Sequence, residues 1–170
     1  MKSGGEVKPD EPHNVKARPA RIAFVAAIAL FMSGRSLGDD ELGTAFGSDS
    51  IVIEASGPAC YEFEVYLALT PEQQRRGLMH VRRLPQFTGM LFVYRDDDLH
   101  SMWMKNTYIP LDILFIRGDG SVSSIAAMTE PLSLQSIKSI EPVTYVLELN
   151  GGIAAKLGID TDSMVYLPRD

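Results

Sequence analysis

Turn-forming residues interrupt the apolar segments of residues 51–170 at short intervals. Gly118-Asp119-Gly120, for example, separates the largely apolar segments 111–116 and 122–127. Apolar runs this short, bounded by turn residues, are typical of β-strands rather than of long helices. The pattern predicts an α+β fold that is mostly antiparallel β, with a small barrel-like or sandwich-like sheet and two short helices.

Each predicted helix is short and has its own boundary signals. Thr70 is placed to cap a helix that begins at Pro71, and Gln73 completes a capping box. Gly77 is expected to end this helix, and a second helix is predicted over 153–157. Strands are predicted within 51–69 and over 89–94, 100–105, 111–116, 122–127, 145–149 and 164–167, with a solvated acidic turn at 95–98 and irregular structure over 129–142.

The N-terminal segment has a different composition from the rest of the chain. Residues 22–32 are eleven consecutive apolar residues, preceded by Arg18 and Arg21. This order is typical of a signal peptide, and a helix of that length would rise about 16 Å, short of a hydrocarbon core of roughly 30 Å. We therefore expect 1–35 to be a signal peptide or N-terminal anchor, 36–50 a linker, and 51–170 one compact domain without a membrane span. The protein is then exported, to the periplasm or the cell exterior.

Charge is divided unevenly between these segments. The chain holds 16 Lys and Arg against 22 Asp and Glu; six basic and three acidic residues lie within 1–35, which leaves ten basic and nineteen acidic residues from 36 onward. A domain with this excess of acidic residues repels phosphate backbones and anionic lipids. Nucleic acid is therefore not an expected partner.

Polar and aromatic side chains are densest within residues 100–112. Trp103 offers a stacking face, and Lys105 and Asn106 can orient a polar ligand. Arg76, at the end of the first predicted helix, is placed to hold a carboxylate or another anion. These residue types predict a cleft for a small polar or anionic ligand, although an envelope protein is an alternative partner.

Two carboxylates stand within apolar strands. Asp112 lies inside the run Leu111–Ile116, and Glu148 lies between Leu147 and Leu149. A buried carboxylate must be paired, hydrogen-bonded or protonated. One interpretation is structural, an ion pair or a cap on backbone amides. The other is an acid and base pair of a hydrolase, which requires both groups to reach one cleft.

His100, Met102 and Met104 alternate within a predicted strand and would share one face. Histidine and thioether ligands suit Cu(I), but methionine more often fills a core, which is the favoured interpretation here. The single cysteine, Cys60, cannot form an internal disulfide and has no neighbouring Cys or His that would indicate zinc. No P-loop, GxSxG, HExxH or GxGxxG motif is present, and no cofactor is expected.

Several ordered motifs resemble those of the domain-of-unknown-function 192 family, over roughly residues 52–168. They include Thr70-Pro71-Glu72, Arg76-Gly77-Leu78-Met79, Gly89-Met90-Leu91-Phe92, Trp103-Met104-Lys105-Asn106-Thr107, Pro110-Leu111-Asp112 and Tyr145-Val146-Leu147-Glu148-Leu149. The resemblance implies a small, mostly antiparallel β fold, often exported, with no agreed activity. It also implies importance for Arg76, Gly77, Trp103, Lys105, Asn106, Asp112 and Glu148. Position 102 is commonly aromatic in that family and is Met here, which weakens the copper hypothesis.

Four functions remain open at the level of sequence. The first is a ligand-binding or partner-binding module of the cell envelope, and the second in rank is a purely structural role for the polar cluster. A hydrolase that uses Asp112 and Glu148 ranks third, and Cu(I) binding through His100, Met102 and Met104 ranks fourth. The sequence does not decide whether the protein is an enzyme.

Overall fold

Nine strands and three short helices form residues 42–167, the part of the chain that the computed structural model describes. The predicted signal segment 1–35 lies outside the described residues. The strands are β1 (Gly47–Glu54), β2 (Cys60–Ala68), β3 (Thr88–Asp98), β4 (Ser101–Met102), β5 (Leu111–Ile116), β6 (Val122–Ala126), β7 (Ile137–Lys138), β8 (Val143–Asn150) and β9 (Met164–Tyr166). The helices are α1, which includes 42–45, α2 (Pro71–Arg76) and α3 (Ile153–Leu157).

Seven of these strands form one sheet, in the order β6-β5-β8-β3-β2-β1-β9. Neighbouring strands are antiparallel except β2 and β3, which are parallel. The two edge strands meet at one end, where the Val165 amide donates to Gly120 O at 2.8 Å and the Val122 amide donates to Ser163 O at 3.3 Å. The sheet is thus a nearly closed barrel, which confirms the predicted mostly antiparallel α+β fold. Strands β4 and β7 pair separately.

Each face of the sheet carries its own apolar cluster. On β5, Leu111, Ile113 and Phe115 belong to one cluster, and Leu114 and Ile116 belong to the other. All six residues of β5 are buried. This burial on both faces explains why the strand is an almost continuous apolar run instead of an alternating one.

Helix α2 forms as the sequence predicts. The Gln73 amide donates to Thr70 Oγ1 at 3.3 Å, and the Thr70 amide donates to Gln73 Oε1 at 3.0 Å, which completes the capping box. The helix ends at Gly77, whose φ of 48° lies in the region that favours glycine. Two side-chain amides hold α2 against the rest of the fold. The Gln74 amide donates to Val93 O at 2.9 Å, and the Gln73 amide donates to Ala45 O at 3.1 Å.

Three predicted boundaries need correction. Residues 95–98, an arginine followed by three aspartates, continue β3 instead of forming a turn, and solvent accommodates their charges because this end of the strand is exposed. The predicted strand 100–105 is reduced to Ser101–Met102. Residues 42–50, assigned to a linker, form α1 and the start of β1, with Leu42 and Phe46 buried in the core. The start of β1 carries no apolar alternation that would predict a strand, because its first four residues are exposed and are held by backbone pairing to β2.

Among residues 42–167, no helix combines the length and apolar character needed to cross a membrane.

Candidate functional site

A cleft of about 350 Å³ lies on one face of the sheet. Its walls come from α2, from β3 and from the segment 101–107, which begins with β4. Arg76, Trp103, Lys105 and the buried Glu148 all line the cleft. The structure therefore brings together four of the residues that the sequence predicted for a ligand site.

Glu148 lies at the centre of the sheet because β8 pairs with β3 on one side and β5 on the other. Its register partners are Met90 and Ile113, both fully buried apolar residues. The Glu148 side chain is only 4% exposed, and its Oε2 has no hydrogen-bond partner among the described residues. Burial raises the pKa of this carboxyl to about 8. At neutral pH Glu148 is therefore mostly a protonated acid that can donate one hydrogen bond.

Tyr94 lies beside Glu148 in the same cleft. Burial, and then the negative charge of an ionised Glu148, raise the pKa of Tyr94 to about 12, so its hydroxyl stays protonated. This hydroxyl points to Met102 Sδ at 3.9 Å. The sequence reasoning missed Tyr94, but a signal was present: Met90, Phe92 and Tyr94 alternate on β3 and so share the face that carries Glu148.

His100 packs against the cleft residue Tyr94. The two rings stack with centroids 3.5 Å apart and an interplanar angle of 15°. Burial lowers the pKa of His100, and its Nε2 has no partner within 42–167. A neutral imidazole in this position supports the Tyr94 ring instead of adding charge to the cleft.

Positive charge borders the cleft. Lys105 Nζ lies 5.0 Å from the centroid of the Trp103 ring, and the Arg76 guanidinium lies 5.6 Å from that of Phe46. Trp103 itself is 48% exposed. A half-exposed indole with an ammonium group over its ring offers a ligand both apolar surface and a cation.

Asp112 has a different role from Glu148. It is fully buried, and its Oδ1 accepts from the amides of Met128 at 2.8 Å and Gly152 at 2.9 Å, while Oδ2 accepts from the Ala154 amide at 2.9 Å. Two of these amides belong to the start of α3. Asp112 therefore caps backbone amides, as the structural interpretation of this residue expected.

Asp112 and Glu148 do not share a cleft. Asp112 pairs in register with Leu149, whereas Glu148 pairs with Ile113, and side chains of successive strand residues point to opposite faces. The hydrolase hypothesis needs both carboxyls in one cleft. The structure places them on opposite faces of the sheet and so removes that acid and base pair.

Asn106 shapes the turn rather than the cleft. It adopts a φ of 57°, which asparagine tolerates better than most residues. Its carbonyl accepts from the His80 amide at 2.8 Å, and its side-chain nitrogen contacts Met79 Sδ at 3.8 Å. Asn106 is not among the cleft-lining residues described above.

His100, Met102 and Met104 do not continue along one strand, because β4 ends at Met102. Both methionines belong to an apolar cluster. The Thr129 hydroxyl lies 3.2 Å from Met104 Sδ, so this sulfur already has a polar neighbour. Over the part of the chain that the structure describes, no group of three or more His, Cys, Asp or Glu residues is arranged to hold a metal ion. Cys60 is exposed and unpaired by any disulfide.

Comparison with known proteins gives a family and two solved structures. The family model described as "DUF192: Uncharacterized ACR" matches residues 51–167. A crystal structure from Sinorhizobium meliloti 1021, described as a "putative transcription regulator", is 38% identical with a TM-score of 0.69; the match covers 71% of this chain and 93% of that one. A protein of unknown function from Novosphingobium aromaticivorans DSM 12444 is 35% identical with a TM-score of 0.68, covering 71% and 85%. No curated protein matches the chain.

Proposed function

The chain belongs to the DUF192 family, and from this premise we propose that it is a small-ligand-binding protein of the cell envelope. The ligand is polar or anionic and occupies the cleft bordered by Arg76, Trp103 and Lys105, above Glu148. Ligand binding in the cell envelope was the first of the four functions that the sequence left open. It assigns Asn106 and Asp112 to the support of the site rather than to ligand contact.

The buried Oε2 atom of Glu148, which has no hydrogen-bond partner within residues 42–167, is the observation that carries the proposal. A buried polar group without a hydrogen-bond partner costs on the order of 1–3 kcal/mol of stability. A methionine or leucine at this position would avoid that cost, since the register partners Met90 and Ile113 are apolar. A ligand that enters the cleft and pairs with Glu148 gives the group a partner. Asp112 differs from Glu148 in this respect, because it accepts three hydrogen bonds from backbone amides and so stabilises the fold.

The residue types around Glu148 also suit a ligand better than a packed core. Lys105 is exposed, and Trp103 is half exposed beside it. Binding clefts commonly combine aromatic surface with a few oriented polar groups. A nucleic-acid partner is disfavoured for this chain, because residues from 36 onward hold nineteen acidic against ten basic side chains.

A thermal-stability screen of the purified full chain tests the proposal. The panel contains sugars, peptidoglycan fragments, organic acids, phosphates and amines, because a ligand that binds only the folded state raises the melting temperature. We expect a hit that loses its effect in Trp103→Ala. The matched control is Lys156→Ala, an exposed cation outside this cleft, which should keep the shift. A hit that Trp103→Ala leaves unchanged, or the lack of any hit, would contradict a ligand site in this cleft.

The envelope location rests on the apolar run 22–32 and the arginines before it. Removal of residues 22–32 should keep the protein inside the cell, whereas the full chain should appear in the envelope or outside fraction. Fractionation followed by immunodetection measures this. Equal distribution of the two forms would refute export through this segment.

A further inference from the structure

Resting on the proposed function, we infer that the ligand is a neutral saccharide of at least two sugar rings. One ring stacks on the Trp103 indole in a groove beside the cleft, where its hydroxyls bond to Ser101 and Ser136. The next ring lies in the cleft, where one of its hydroxyls gives the buried Glu148 carboxyl a partner. Three features support this inference: the pair of serine hydroxyls, the half-exposed indole, and the wall that groove and cleft share.

This serine groove has a volume of about 270 Å³ and is lined by Ser101, Met102, Trp103, Leu134 and Ser136. The first three of these residues also line the cleft, whose volume is about 350 Å³. The two spaces therefore share a wall that contains the indole. Sites for small molecules commonly measure about 300–1,000 Å³. The groove is thus a space for one ring, and groove and cleft together take a longer molecule.

The two serine hydroxyls of the groove match adjacent hydroxyls of a sugar. Ser101 Oγ and Ser136 Oγ lie 2.7 Å apart, and both residues are exposed. Each hydroxyl can both donate and accept, so after their mutual bond the pair still offers a donor and further acceptor positions. Neighbouring hydroxyls on a sugar ring offer the same two functions at a similar spacing. A group that only donates or only accepts would leave part of this pair unused.

Backbone hydrogen bonds hold the two serines in place without a ligand. Ser101 belongs to β4, Ser136 directly precedes β7, and these two strands pair with each other. Beyond the paired residues, the Met104 amide donates to Ser133 O at 3.1 Å. A groove that is already ordered loses little conformational freedom on binding, which favours affinity.

Trp103 supplies the apolar surface on which a sugar ring can stack. Lys105 Nζ lies 5.0 Å from the centroid of the indole ring. Lys105 lines the cleft and does not line the groove, so its ammonium group lies on the cleft side of the indole. One face of a sugar ring is formed by C–H groups, which the negative face of an aromatic ring attracts. The same ring would cover Leu134, which is 71% exposed, and remove further apolar surface from water.

Glu148 gives the cleft a group that a sugar hydroxyl can satisfy. Its buried Oε2 has no hydrogen-bond partner within residues 42–167. A hydroxyl can accept from the carboxyl when it is protonated and donate to it when it is ionised. A hydroxyl therefore suits Glu148 in both states, whereas a ligand carboxylate requires the protonated state and an ammonium group favours the ionised one. The match depends on hydrogen bonding and not on the charge of the cleft.

The tryptophan emission of the full chain tests the inference, because Trp103 is its single tryptophan. The probes are cellobiose, maltose and N,N′-diacetylchitobiose, each compared with its single-ring sugar. At least one disaccharide should shift the emission to shorter wavelength and protect the indole from quenching by acrylamide, because a stacked ring excludes water. The single ring should bind about tenfold more weakly, since it lacks the hydrogen bond to Glu148 and the contacts beside it. Tetraethylene glycol and hexanoate should produce neither effect.

Variants assign the position of each ring. Ser101→Ala and Ser136→Ala should weaken single ring and disaccharide alike, by roughly three- to tenfold, because each removes one hydroxyl of the pair. Glu148→Leu should weaken only the disaccharide, to the affinity of the single ring, and should keep the emission shift. Ser48→Ala is the matched control, an exposed serine outside both spaces, and should behave as the original chain. Thermal melting shows whether each variant is folded.

The outcomes separate this inference from the proposed function. A response to tetraethylene glycol, hexanoate or another compound of the wider panel, with none to the three disaccharides, would overturn the saccharide inference and leave the cleft as a ligand site. A disaccharide affinity that the two serine variants and Glu148→Leu all leave unchanged would overturn the placement of the rings. If no compound of any class binds, both the inference and the proposed function are wrong.

Discussion

Two buried carboxyl groups on adjacent strands meet opposite surroundings. Asp112 accepts three hydrogen bonds from backbone amides, whereas one oxygen of Glu148 has no partner within residues 42–167. Burial among apolar neighbours disfavours the ionised form of Glu148 and so raises its pKa. Asp112 therefore holds the backbone together, whereas Glu148 lines the cleft.

Glu148 makes stability depend on pH. The carboxyl has a pKa near 4.5 when exposed and about 8 in the fold. Below pH 4.5 both states hold the proton; between 4.5 and 8 only the folded state does, so the free energy of unfolding falls with rising pH. The fall approaches 1.4 kcal/mol per pH unit and levels off above about pH 8. Glu148→Gln should remove this component.

Urea unfolding at pH 5, 6, 7 and 8 gives the free energy of unfolding of the original chain and of Glu148→Gln. As the pH rises, the original chain should lose stability relative to the Gln variant at each step. A constant difference across these four pH values would mean that Glu148 is ionised in the folded protein.

Asp112→Ala should destabilise the fold strongly. The substitution leaves the amides of Met128, Gly152 and Ala154 without their acceptor, and each unpaired buried group costs on the order of 1–3 kcal/mol. A loss of about 3 kcal/mol or more is expected by urea unfolding. Asp112→Asn keeps one acceptor oxygen and should lose less. A variant as stable as the original chain would show that the amides find other partners.

At the scale of elements, α2 positions Arg76, and its N-terminal cap fixes where the helix begins. Thr70→Ala removes the side-chain oxygen that accepts from the Gln73 amide. Loss of such a cap costs about 1 kcal/mol. Thermal or urea unfolding should show this loss for Thr70→Ala but little change for Thr70→Ser, which keeps the oxygen. Equal losses in the two variants would assign the effect to the threonine methyl group.

Local signals explain which elements the sequence could predict. The Thr70 and Gln73 capping box, the apolar run of β5 and the turn at 118–120 each lie within a few residues, and the structure confirms the three elements that they mark. The charged residues 95–98 were wrongly predicted to form a turn, because a strand that extends into solvent carries no apolar alternation.

The cleft could be predicted only in part. The composition of 100–112 and the isolated acid at 148 pointed to Trp103, Lys105 and Glu148. Their spatial relation depends on β8 lying between β3 and β5, a long-range pairing that no local pattern records. For the same reason the sequence could not show that Asp112 faces away from Glu148.

At the scale of the whole molecule, closure of the barrel depends on a close backbone approach at Gly120. This residue has a φ of 90°, and an added Cβ would lie 2.4 Å from Val165 O. Gly120→Ala should therefore separate β9 from the turn before β6 and destabilise the protein by about 3 kcal/mol. Gly57→Ala is the control, since nothing lies within 4 Å of its added Cβ. Similar melting temperatures for the two variants would show that closure contributes little.

The position of β8 in the sheet has a consequence for synthesis. A ribosome that has translated the chain through residue 142 has made β1, β2 and β3 and the β5–β6 hairpin, but not the strand that joins these two groups. Until β8 emerges, the nascent chain exposes the apolar sides of β3 and β5 as unpaired edges, which invites aggregation or capture by chaperones. The sheet can therefore be completed only late in translation.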